Sequence, residues 1–169
     1  MRLDDIRFEV STFDALSPRR LYAVLRARVD VFVVEQHCAY PELDGLDLDA
    51  LHLVGAAPDG EVVAYARLLA PGVRFDEVAI GRVLTRVRGE GLGRALMERA
   101  LVEADRAWPG VGSDVPWCRI AAQAHLEGFY ASLGFEVASA PFDEDGIPHV
   151  EMTLAARPRD GLGGFSARA

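Results

Sequence analysis

Residues 80–108 read IGRVLTRVRGEGLGRALMERALVEADRAW, and this stretch decides the fold. Ile80–Thr85 is a short β-rich run, Arg88–Gly93 a glycine-rich loop, and Leu92–Trp108 carries helical spacing. Leu92, Leu96, Ala100 and Ala104 recur every fourth residue, and Ala95, Met97 and Leu101 widen the apolar stripe. A strand therefore feeds a tight turn that opens directly into a helix. Glycines 89, 91 and 93 let the backbone take positive φ and approach a ligand closely. The free N–H groups and dipole of the first helical turn make an anion site suited to phosphate. The spacing excludes two common phosphate loops. The dinucleotide fingerprint fails because Arg94 stands where its third glycine belongs. The P-loop fails because no Gly-Lys-Ser/Thr follows. A nucleotide-binding domain is disfavoured on this ground.

Working outward, 169 residues at 50% apolar composition are enough for one domain with a full core. The acidic start, Met1–Asp5, has no apolar segment of a secretory signal, and no run is long enough to span a bilayer. A cytoplasmic protein with no membrane partner is the expectation. Cys38 and Cys118 lie far apart without metal-ligand spacing, so neither a disulfide framework nor a metal site is indicated. Cys118 is expected to fill core and Cys38 to be a loop thiol. A net charge of −8 without a basic cluster argues against nucleic acid.

Arg7–Phe13 reads as a first strand, and Ser17-Pro18 as a cap and first turn of a helix. The β-branched run Val31–Val34 predicts that this helix loses its regular winding there. Between His37 and Ala50, Glu42, Asp44, Asp47 and Asp49 form either a solvated loop or one wall of a site for a cationic acceptor. Leu51–Ala57 and Glu61–Leu69 are strands joined by the turn Pro58-Asp59-Gly60. A simple register would set His52 and Arg67 on opposite faces. Pro109–Pro116 reads as a surface loop and Trp117–Gln123 as a buried strand. Leu126–Leu133 is a short helix ended by Gly134, followed by strand Glu136–Ala138. Asp143–Pro148 is a turn-rich hairpin connection, His149–Ala155 a last strand, and 156–169 a frayed tail.

Two motifs, in order, carry a family resemblance: Arg88-x-x-Gly91-x-Gly93 and, one strand later, Phe129-Tyr130-x-x-x-Gly134-Phe135. Together they resemble the acyl-coenzyme A loop and the catalytic helix of the GNAT N-acetyltransferases. Further words resemble the ElaA-like branch: Phe32-Val33-Val34-Glu35-Gln36, Pro41-Glu42-Leu43-Asp44, Ile80-Gly81-Arg82-Val83, Ala122-Gln123-Ala124-His125 and Asp145-Gly146-Ile147-Pro148-His149. The resemblance implies one α/β (α+β) domain over residues 1–155, with a mixed, mostly antiparallel sheet of about six or seven strands and helices on both faces. It implies acetyl transfer from acetyl-CoA to a primary amine by direct attack on the thioester. The acceptor would be a small molecule or peptide, and a homodimer is left open. A non-catalytic acyl-CoA-binding or sensing module is the alternative.

By the same resemblance, Arg88, Gly89, Glu90, Gly91, Leu92, Gly93 and Arg94 form the pyrophosphate loop. A bulge before it would aim the amide of Val83 or Leu84 at the thioester oxygen. Gln123 stands where the family often has asparagine, and Thr85-Arg86-Val87 replaces a proline common before the loop. Tyr130 would lie at the coenzyme sulfur and protonate the thiolate. Candidates for the general base are Glu35, His52, His125, His149 and Glu151.

Overall fold

The computed structural model describes residues 2–110, 116–155 and 157. Its strands are β1 (Arg7–Thr12), β2 (Leu51–Ala56), β3 (Val62–Leu69), β4 (Val78–Thr85), β5 (Cys118–Gln123), β6 (Glu136–Val137), β7 (Phe142–Glu144) and β8 (Ile147–Leu154). Its α-helices are α1 (Pro18–Arg28), α2 (Leu92–Ala107) and α3 (Glu127–Ala131). The strands form one sheet in the order β1-β2-β3-β4-β5-β8-β6, with β7 also on β8. Every pairing is antiparallel except β4 with β5.

Helices cover both faces of this sheet. On one face Leu92, Leu96, Ala100 and Ala104 of α2 are fully buried against Leu53, Ala66, Leu68, Ile120 and Met152. On the other, Val24 and Ala27 of α1 pack on Val54, Tyr65 and Leu84. The central strand β3 is consequently buried at all eight positions, and its near-continuous apolar sequence follows from that double cover. Ser17 caps α1, its hydroxyl accepting from Arg20 N at 3.2 Å, with Pro18 at the first helical position. The helix then widens into a π-helical segment, Val29–Glu35, where four β-branched valines crowd the turns.

Turn chemistry fixes the hairpins. Gly60 takes φ +87° between β2 and β3, and Asp59 Oδ1 accepts from Glu61 N at 2.9 Å. Asp145-Gly146, both at positive φ, form the two-residue turn between β7 and β8, as an Asp-Gly pair favours.

Three expectations need correction. The described sheet has eight strands rather than six or seven, because the hairpin connection at Asp143–Pro148 carries strand pairing of its own, β7 on the start of β8. The helix expected over 126–133 is split into a 3-10 turn, Ala124–Leu126, and the short α3. His52 and Arg67 share a face, since they are direct partners in the antiparallel register. Both cysteines stand as expected: Cys38 is a loop thiol, buried and donating to Asp145 O at 3.3 Å, and Cys118 fills core. The loop at residues 111–115 and the tail, save residues 155 and 157, lie outside the described residues.

Candidate active site

The site begins with an irregularity in β4. Tyr65 pairs with Leu84 and Arg67 with Gly81, so Ala66 alone faces both Arg82 and Val83. This is the bulge expected in the strand before the loop, and it places Arg82 at φ +51°. A left-handed arginine is strained, and its side chain is correspondingly well held. Its guanidinium donates to Glu42 Oε1 at 2.9 Å, to Glu42 O at 3.1 Å and to Asp44 Oδ2 at 3.2 Å, and lies over the ring of Tyr40.

Beyond the bulge the sheet opens. β4 and β5 are paired only at Val78–Cys118 and Ala79–Arg119, after which they part. A cleft of about 1440 Å³ occupies the gap, lined by the loop glycines, Val83, Leu84, Gln123 and Tyr130. Unpaired strand edges facing such a gap offer backbone donors and acceptors to an extended ligand.

At one end lies the glycine loop. Gly89 and Gly91 take φ +82° and +77°, and a Cβ on either would meet nothing within 4 Å. Gly91 is the N-cap of α2, and the first helical bond runs from Ala95 N to Gly91 O. The amides of Leu92, Gly93 and Arg94 therefore lack helical partners. Arg88 forms an ion pair with Glu35, which ties the loop to the π-helical segment. The Arg94 side chain donates to Ser132 Oγ at 2.6 Å, leaving its backbone amide for the anion site. Glu90 is not among the cleft-lining residues, whereas Arg88, Gly89, Gly91, Leu92, Gly93 and Arg94 are.

Tyr130 is buried against Phe129 and Phe135, and burial pushes its hydroxyl pKa up to about 12. It is protonated at neutral pH, and no hydrogen bond to its hydroxyl is present among the described residues. Gln123 Nε2 donates to Gln36 Oε1 at 3.1 Å, joining β5 to the end of the π-helical segment.

The base candidates separate cleanly. His52 is sealed, with Nδ1 at 2.8 Å from the Tyr65 hydroxyl and Nε2 at 2.9 Å from Asp47 O, so it is structural and lies outside the cleft. Burial lowers its pKa, partly opposed by Asp47. Glu151 is likewise outside the cleft, bound by Arg119 at 2.7 Å. Glu35, His125 and His149 line it.

Of the loop's four carboxylates, Glu42 and Asp47 are buried in ion pairs, Asp44 is bound by two arginines, and Asp49 is exposed. Arg28, fully buried, donates to Glu42 at 2.9 Å and to Asp47 at 2.6 Å. Arg67, also buried, binds Asp44 through both terminal nitrogens at 2.6 and 2.7 Å. Of the loop's carboxylates only Asp44 lines the cleft, in company with Arg67 and Arg82. Spacing does not reveal this network because its members lie 14 to 40 residues apart; the one sequence signal is arginine in the otherwise apolar strands β3 and β4.

For Asp44 and Asp47 burial acts to raise the pKa, but the arginines outweigh it, holding Asp47 low and Asp44 at about 2. Both are depressed below the unfolded value, so their stabilisation is present above about pH 4 and lost as pH falls toward the folded values. Thermal melts should therefore show Tm falling steeply below about pH 4. Asp44→Asn should lower Tm at pH 7 and flatten that fall; parallel curves for the two proteins would exclude Asp44 from it.

Among the described residues no His, Cys, Asp and Glu group could hold a metal ion, and no helix is long and apolar enough to cross a membrane.

A family profile described as an acetyltransferase (GNAT) domain matches residues 26–156. A UPF0039 protein of Synechocystis is 38% identical over 156 residues, covering 91% of this chain and 98% of that protein. Protein ElaA of Escherichia coli is 45% identical over 141 residues, covering 81% and 88%, and its crystal structure aligns with TM-score 0.78. An acyl-CoA N-acyltransferase structure from Pseudomonas aeruginosa aligns with TM-score 0.80 at 44% identity, covering 89% of this chain and 99% of that one.

Proposed function

From the premise that the chain belongs to the GNAT acetyltransferase family, in its ElaA-like branch, we propose that it transfers an acetyl group from acetyl-CoA to a primary amine. The observation that carries this reading is one cleft joining three features: unpartnered amides at the start of α2, a bulged β4 edge, and the Tyr130 hydroxyl.

Each feature answers a chemical need. The amides of Leu92, Gly93 and Arg94 would hold the pyrophosphate, with the open faces of Gly89 and Gly91 permitting close approach. The amide of Val83 or Leu84 at the bulge would receive the thioester oxygen as negative charge develops there, and losing one such donor typically costs about 3 kcal/mol. Tyr130 would supply the proton that the departing sulfur needs. The acceptor must be neutral to attack, which for an alkylamine of pKa ~10.4 costs about 4–5 kcal/mol at pH 7 unless a base draws off the proton.

Acetyl-CoA should raise the Tm, since a ligand that binds only the folded state stabilises it. Gly91→Glu puts a carboxylate at the anion site and should abolish that shift. Gly91→Asn, which tolerates the left-handed backbone, should keep most of it and so separates strain from charge. An unchanged shift in Gly91→Glu would place the cofactor elsewhere. Turnover is tested by free-thiol release against panels of amines, polyamines and peptides; binding without turnover would make the protein a sensing module.

A further inference from the structure

Resting on that reading, we propose that His149 is the general base that takes the proton from the acceptor ammonium. Its Nδ1 lies 2.8 Å from Ile147 O. A carbonyl only accepts, so Nδ1 carries the proton and Nε2 keeps its lone pair. Nε2 stands 3.8 Å from Glu144 Oε2, a carboxylate placed to stabilise the imidazolium that proton uptake creates. Glu144 is held in turn by Arg74 at 3.1 Å, and the imidazole ring stacks on Phe142.

Position agrees with this assignment. Val150, Met152 and Leu154 face the α2 core, so His149 faces the opposite side of the sheet. It pairs directly with Gln123. β5 lies across the gap from the bulged end of β4, and His149, Gln123 and the bulge residues Arg82 and Val83 all line the one cleft. Glu35, by contrast, is bound to Arg88 at the pyrophosphate end, and no hydrogen bond orients the His125 ring among the described residues.

The protons balance. The acceptor nitrogen forms a bond to the acetyl carbon as the carbon–sulfur bond breaks. Of the two protons the nitrogen loses, the first passes to His149 Nε2, directly or through one water, and then to solvent. The second replaces the one that Tyr130 gives to sulfur. The charged groups around His149 are Glu144 and Asp145 of the hairpin, Arg74 of the β3–β4 connection, and the Arg119–Glu151 pair on the same face.

The test compares two amines of similar shape: phenethylamine, protonated at pH 7, and O-benzylhydroxylamine, neutral there. His149→Gln should lower kcat/KM for phenethylamine about 10²-fold at pH 7, with the loss shrinking as rising pH supplies the free amine. O-Benzylhydroxylamine should change by less than about threefold, and the Tm shift from acetyl-CoA should persist. Glu144→Gln should lower kcat/KM for phenethylamine and leave O-benzylhydroxylamine within about threefold, because the imidazolium loses its anion. Equal losses for both amines, or a phenethylamine loss that does not shrink as pH rises, would overturn the assignment. So would a nitrogen-15 spectrum of the wild-type protein showing the Nε2–H tautomer. Wild-type protein that binds acetyl-CoA yet acetylates neither amine nor any panel acceptor would overturn the transfer reading, and this proposal with it.

Discussion

Tyr130→Phe is expected to lower kcat by about 10²–10⁴-fold when chemistry limits turnover, the usual contribution of a general acid. The substitution removes one oxygen and keeps the ring that packs between Phe129 and Phe135. With no hydrogen bond to lose among the described residues, Tm should change by no more than a degree or two, and the acetyl-CoA Tm shift should be unchanged. Burial helps the proposed role, since a pKa of about 12 keeps the proton in place until a thiolate forms beside it. That thiol has a pKa near ~8.5, so transfer from the phenol is uphill unless the buried thiolate is itself destabilised. A small effect on kcat with a clear loss of Tm would make Tyr130 a packing residue.

Arg28→Met should have the largest effect on stability. Removing one partner from a buried charge network typically costs about 3–5 kcal/mol, because the remaining charges cannot be rehydrated. Glu42 and Asp47 would lose the guanidinium that joins them, and one Glu42 oxygen is already buried without a partner. For a domain of this size the corresponding fall in Tm is on the order of 10 °C. Arg28→Lys should fall between the two, keeping the charge but losing the paired contacts to Asp47. Since Glu42 also holds Arg82 at the bulge, kcat should drop in the folded fraction as well. A Tm within 2 °C of wild type would mean that the network contributes little to stability.

Features resting on neighbouring residues were determined by the sequence itself. The apolar stripe of α2, the Ser17 cap, the turn at Gly60 and the glycine entry to α2 each depend on spacing within a few residues, and each stands where the pattern puts it. The glycine loop was legible for the same reason, while the place of Tyr130 in the cleft was implied only by the family resemblance. What only the tertiary structure decided depends on which strand lies beside which. The bulge exists because Ala66 must face two residues of β4, and nothing within 80–85 records that partner. His52 shares a face with Arg67 because antiparallel pairing sets them directly opposite, so a histidine that reads as a base candidate becomes a sealed bond between Tyr65 and Asp47. The acidic loop reads as a solvated or substrate-facing segment because charge alone predicts exposure. Folding instead brings three arginines from α1, β3 and β4 against it, and burial of an ion pair depends on partners that local sequence does not name.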